Sequence, residues 1–257
     1  MLIILSPAKK LNYKDSAPVK TYTTPDYLDH SQKLITELQK LSADEIGNMM
    51  NLSKNLANLN KERYMEWQKP QSPDEKDSKQ AAYAFQGDVY QGWAPESLSE
   101  EDMQFAQDHV RILSGLYGIL RPLDLMKPYR LEMGTKFGVN DKSNLYEYWQ
   151  DLITQGLNQK IKENENKYLI NLASNEYFKA IDKSKLNAEI ITPVFKENKN
   201  GQYRVVSFFA KKARGMMTRF VVKNKITEPE KLKLFEEDGY YYNDELSGGS
   251  TIVFTRG

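Results

Sequence analysis

Val110-Arg-Ile-Leu-Ser-Gly-Leu-Tyr-Gly-Ile-Leu-Arg-Pro-Leu-Asp-Leu-Met126 is the stretch on which the reading of this chain turns. Apolar residues at Val110, Ile112 and Leu113 arrive at Gly115-Leu-Tyr-Gly118, and apolar residues resume at Ile119, Leu120, Leu123 and Leu125. Together with the helix-start signal Ser99-Glu-Glu-Asp102, this layout predicts a helix running toward Leu113, a glycine-flanked turn around an apolar plug, and a second short helix. In a helix-hairpin-helix of this kind, Gly115 and Gly118 let backbone N–H groups approach a DNA phosphate, and the next helix offers it a positive N-terminus. Arg111, Arg121, Lys127 and Arg130 would add side-chain charge, and Tyr117 a face on which an exposed base can stack. The bland alternative is a tight turn between packed helices. Pro122 is tolerated only if it falls in the first turn of the second helix.

Upstream, Met1 to Leu5 reads as a buried strand closed by Ser6-Pro7, and the loop after it carries Lys9 and Lys10. Leu34, Ile35, Leu38 and Leu41 recur at a helical period, and Ser42 with Glu45 forms a capping box for the next helix. Residues 69–79 turn polar and Pro-rich and read as a surface loop. Downstream, Ser143 opens a helix with Leu145, Trp149, Leu152 and Leu157 inward. Residues 167–172, 189–195, 202–208 and 250–255 read as short strands, with Asn198-Lys-Asn-Gly201 as a hairpin turn. The expected architecture is α+β: a mixed sheet with surrounding helices and a helix-hairpin-helix, folded as one domain over residues 1–257.

A second basic segment lies at Phe208-Phe-Ala-Lys-Lys-Ala-Arg-Gly-Met-Met-Thr-Arg-Phe220. If residues from Ala210 onward are helical, Ala213, Met216, Met217, Phe220 and Val221 share one side and Lys211, Lys212, Arg214, Arg219 and Lys223 the other. A solvated charged face is the usual explanation for such a pattern. Ordinary surface helices mix both signs, however, so a run of cations without an acid points to an anion-binding face.

Composition limits the chemistry. The 257 residues contain 36 Lys and Arg against 35 Asp and Glu, so the position of the cations matters more than their net charge of +1. Absence of cysteine excludes thiol peroxidase chemistry, disulfides and thiolate metal sites. His30 and His109 lie far apart without metal-ligand spacing, so no metal is expected and both read as packing or surface residues. Ser6 to Lys10 lacks the glycines of a nucleotide-cradling loop, and no cofactor is expected. The first residues do not have the layout of a secretory signal, and no apolar run is long enough for a membrane span, which makes the cytosol the expected location.

Six blocks together resemble the YaaA family: Ser6-Pro-Ala-Lys9, the central Leu113 to Asp124, Pro128-Tyr-Arg-Leu-Glu-Met-Gly134, Asn171-Leu-Ala-Ser174 with Glu176-Tyr177, Lys212-Ala-Arg-Gly215, and Asp244-Glu-Leu-Ser247 with Phe254-Thr-Arg256. Lys10 stands where that family is expected to carry a small polar residue. The resemblance implies a bacterial cytosolic protein of the peroxide stress response that limits oxidative damage and unincorporated iron. It also implies DNA binding through a positively charged cleft that includes Lys9, Arg130, Lys212 and Arg214, and an unusual fold containing a helix-hairpin-helix. The expected partner is therefore DNA, duplex or structured. The alternative is an enzyme acting on a small anionic or nucleotide-like substrate, its pocket lined by Lys9, Arg130, Glu132, Asn175, Lys212 and Arg214. An iron sequestrant would have only carboxylates and tyrosines as ligands and ranks last.

Overall fold

The computed structural model describes residues 1–165 and 167–257. Its centre is a mixed eight-stranded sheet: β1 (Leu2–Leu5), β2 (Val110–Ser114), β3 (Gly118–Leu120), β4 (Tyr168–Asn171), β5 (Glu189–Lys199), β6 (Gln202–Arg204), β7 (Tyr241–Tyr242) and β8 (Thr251–Arg256). The spatial order is β7-β8-β5-β4-β1-β2-β3, with β6 paired to β5. β1 runs parallel to both β2 and β4, β4 to β5, and β5 to β8, while β3, β6 and β7 add antiparallel edges.

Leu2, Ile3, Ile4 and Leu5 are fully buried, as a strand covered on both faces must be, and this explains their unbroken apolar run. Helices α1 (Leu28–Leu38), α2 (Ala43–Met50), α3 (Lys54–Glu66), α4 (Asp88–Trp93), α5 (Glu100–His109), α6 (Leu145–Glu163) and α7 (Ser207–Lys223) surround the sheet. The capping boxes at Ser42 and Ser99 form as the sequence requires, each hydroxyl accepting from an N–H three residues on.

The central block departs from its expected form. Val110–Ser114 and Gly118–Leu120 are antiparallel strands in the register Ile112↔Leu120, Leu113↔Ile119 and Ser114↔Gly118, so the glycines join two strands rather than two helices. Helix α5 stops at His109, and the chain enters β2 without a break. A short apolar run carries no periodicity that separates a buried strand from a buried helix, and here the sheet neighbours decide. The helix-hairpin-helix expected at Gly115–Gly118 is thus replaced by a β-hairpin. A helical hairpin does occur elsewhere, where Asn51–Ser53 joins α2 to α3.

Two smaller boundaries also move. The strand expected over residues 202–208 ends at Arg204, and α7 begins at Ser207, three residues before the expected Ala210. Helices α4 and α7 cross with their backbones in contact. A β-carbon on Gly215 would fall 1.8 Å from the Val89 carbonyl oxygen, and one on Gly92 would fall 2.1 Å from that of Lys212. This approach, available only to glycine, carries the basic segment of α7 over the end of β1.

Candidate functional site

The connection from β1 leads to β2 on one side, and that from β4 leads to β5 on the other, so the strand order reverses between β1 and β4. In open parallel sheets the crevice beyond the carboxyl ends of such strands is where ligands bind. A cavity of about 500 Å³ lies at this point, bordered by Ser6 to Lys10 after β1, Leu172, Ser174 and Glu176 after β4, residues 86–90 before and within α4, Tyr129 to Glu132, and Lys211 and Arg214 of α7. Its volume lies in the range of small-ligand pockets.

The rim is held by hydrogen bonds between distant segments. The Ser174 N–H donates to Ser6 Oγ at 2.8 Å, and Tyr90 donates its hydroxyl proton to the Ser6 carbonyl at 3.1 Å. Ser174 sits at the start of a one-turn helix, Asn175–Phe178, but its side chain accepts from Ser6 Oγ at 3.2 Å instead of capping that helix. The Gly134 N–H donates to Glu176 Oε1 at 3.0 Å. Beneath the cavity, Ser114 Oγ and the Tyr129 hydroxyl share a 2.6 Å bond, and Ser114 Oγ also accepts from the Tyr117 N–H at 2.9 Å. Ser114, at the head of the Ser-Gly-Leu-Tyr turn, therefore seats Tyr129 under the pocket.

Five cations converge on this cavity: Lys9, Lys10, Arg130, Lys211 and Arg214. Glu132 neutralises part of that charge, with one oxygen 2.7 Å from Lys9 Nζ and the other 3.1 Å from Arg130 Nη2. Buried Arg130 Nε has no hydrogen-bond partner among the described residues. Arg214 is half-buried, its guanidinium makes no ion pair or hydrogen bond among the described residues, and burial pushes its pKa below the ordinary arginine value.

The other expected DNA contacts lie elsewhere, and the structure gives each a local role. Arg111 is 7% exposed, donates to the carbonyls of Gln107 and Val110 at 2.8 and 2.7 Å, and is pushed by burial to a pKa of about 10. Tyr117 is fully buried, its hydroxyl accepting from Trp67 Nε1 and the Lys127 N–H at 3.1 and 2.9 Å, so it offers no face to a base. Gly115 packs under the Leu131 carbonyl and Gly118 under the Trp149 ring, which leaves neither backbone open to a phosphate. Arg121 pairs with Asp124 and Asp26, Lys127 with Glu75, and Lys212 with Asp238. Arg219 donates to Ser97 Oγ at 2.7 Å. Asn175 does not border the cavity, whereas Asp88, Tyr90 and Tyr129, which sequence reasoning did not single out, do.

Among the described residues no cluster of three or more His, Cys, Asp and Glu is placed to hold a metal ion. Nor is any helix long and apolar enough to cross a membrane. Both histidines are part of the packing: His30 contacts Tyr148 and Trp149, and His109 Nδ1 bonds the Met1 carbonyl at 2.7 Å while its ring stacks on Phe105.

The cavity draws on segments at residues 6–10, 129–132, 172–177 and 211–214, and these overlap four of the blocks that carry the family resemblance. The sequence model of one family, described as peroxide stress protein YaaA, matches residues 1–246. That match covers nearly the whole chain, and the protein therefore belongs to the YaaA family of peroxide stress proteins.

Proposed function

We propose that this protein serves the peroxide response by binding DNA, taking a backbone phosphate into the crevice at the carboxyl ends of β1 and β4. The observation that carries this reading is Arg214, a half-buried guanidinium with no counter-charge among the described residues. An isolated charge removed from water is costly, and an anionic ligand offsets that cost. Phosphate suits arginine because the planar fork donates two parallel hydrogen bonds to its oxygens. Arg130, Lys10 and Lys211 add charge at the same place. Binding of this kind is independent of base sequence and weakens steeply with salt, since each neutralised phosphate releases counterions. The lower unincorporated iron implied by the family resemblance would then be an indirect consequence of that binding.

A second reading, an enzyme acting on a free nucleotide-like anion, is favoured by one feature. Glu132 places a partly buried carboxylate beside Lys9 and Arg130, where it can accept or return a proton. Fluorescence anisotropy with duplex, single-stranded and bubble DNA over a salt series separates the two readings, using wild type and Arg214→Met. Salt-sensitive DNA binding that the variant loses supports the first. No binding to any DNA, with protection of the protein against thermal unfolding by free nucleotides, supports the second.

A further inference from the structure

Beside the crevice the structure exposes an apolar ledge that the phosphate reading leaves unused. Val205, Phe208 and Phe209 are exposed at the start of α7, Phe208 by 54%. Phe208 lies one helical turn before Lys211 and two before Arg214, both of which border the cavity. At 1.5 Å per residue, Phe208 and Arg214 are separated by roughly 9 Å along the helix axis, within reach of a single nucleotide.

The ledge is braced. The Arg256 guanidinium lies 4.6 Å from the centre of the Phe209 ring. Arg256 is itself fixed by Glu197 Oε2 at 2.9 Å and Asp238 Oδ2 at 2.8 Å. Phe208 then stands against Phe209 with ring centres 5.5 Å apart and planes at 69°. An aromatic ring exposed over half its surface and resting on a braced neighbour is what a stacking platform requires, because a side chain with two rotatable bonds has little freedom to lose on binding.

We propose that Phe208 stacks on an unpaired base of a DNA strand whose phosphate is held by Lys211 and Arg214. The inference rests on the phosphate reading of the crevice and adds to it a selection for unpaired over paired nucleotides. Charge favours this occupant over a second copy of the chain. Arg204 and Lys211, which make no ion pair among the described residues, flank the ledge, and the neighbouring Asp238 is already engaged by Lys212 and Arg256. A two-fold contact would bring these cations against their own copies, whereas a nucleic acid strand neutralises them.

The test uses the full-length protein and three fluorescein-labelled probes of equal length: single-stranded oligothymidine, the same strand with abasic sites, and a duplex. Wild type should bind oligothymidine about tenfold more tightly than the abasic strand or the duplex. Phe208→Ala should bring oligothymidine down to the abasic level and leave abasic binding unchanged, Phe208→Trp should keep the preference, and Arg214→Met should weaken every probe. Binding that depends on Arg214 but ignores Phe208 overturns the ledge and spares the phosphate reading. No wild-type binding, or binding indifferent to Arg214, overturns the phosphate reading and the ledge with it. A dimer in sedimentation that Phe208→Ala converts to monomer assigns the ledge to a second copy and also overturns the proposal. Unchanged circular dichroism and melting of Phe208→Ala establish that the variant is folded.

Discussion

The Lys9 ammonium lies 2.7 Å from the Glu132 carboxylate, an ion pair that ties the loop after β1 to the chain beyond the β2–β3 hairpin. Glu132 also holds Arg130, so one acid restrains two of the five cations at the crevice. Glu132→Gln should free both and raise affinity for single-stranded DNA several-fold at low salt, with a steeper salt dependence. Because the Lys9 side chain is 63% exposed, that pair contributes little to folding, whereas the less exposed pair with Arg130 contributes more, and stability should fall by about 1–2 kcal/mol. Anisotropy titrations at three salt concentrations check this, and an affinity that drops would instead mark Glu132 as a ligand-contacting group.

Arg214 predicts an exchange of stability against binding. Arg214→Met keeps most of the apolar stem and removes the guanidinium, so binding should weaken about tenfold or more, as loss of a charge-assisted hydrogen bond implies. The melting temperature should stay level or rise, since an unpartnered charge no longer has to be desolvated. A variant that melts well below wild type would show that the guanidinium supports the fold.

Gly118 has φ of +67°, and a β-carbon there would meet the Trp149 ring at 2.6 Å. Strain and overpacking should together make Gly118→Ala cost about 3 kcal/mol or more, read by urea denaturation. An unaltered stability with lost DNA binding would return the glycine turn to a phosphate-contacting role.

Asp102 tests the packing of α5 on α7. Burial acts to raise its pKa, but hydrogen bonds from Lys225 at 2.6 Å and Lys223 at 2.9 Å, with those from Ser99, outweigh burial and hold it well below the usual carboxylate range. A carboxylate with a depressed folded pKa contributes stability that is present above its unfolded value, about 3.9, and is lost as pH falls toward the folded value. Asp102→Asn should therefore be about 1–3 kcal/mol less stable at pH 7, a gap that narrows below about pH 4. Urea denaturation at pH 7 and pH 3 gives the comparison, and a gap of constant size would show that the charge of Asp102 is not what matters.

The parts of the fold legible in the sequence were those whose determinants are local. Ser42 with Glu45, and Ser99 with Asp102, announce their helices because a cap is satisfied within one turn. The turn at Asn198–Gly201 connects β5 to β6 for the same reason, with Asn198 Oδ1 accepting from the Gly201 N–H at 2.9 Å. Of the candidate site, Lys9, Arg130, Lys211 and Arg214 were legible as cations in unusual surroundings. Arg111, Arg121 and Lys127 looked equivalent, because sequence does not show that folding turns Arg111 inward onto the Gln107 and Val110 carbonyls, adds distant Asp26 to the neighbouring Asp124 at Arg121, and brings Glu75 to Lys127.

By itself the sequence determined the α+β composition, the buried first strand, the absence of thiol chemistry and the membership of the peroxide stress family. The tertiary structure alone decided that Val110–Ser114 pairs beside β1 as a strand, because a short apolar run takes its conformation from the surface that buries it. It also decided which cations meet. The glycine contact between α4 and α7 and the reversal of strand order at β1 bring residues more than 200 positions apart to one crevice, and such long-range juxtaposition leaves no local signal in the chain.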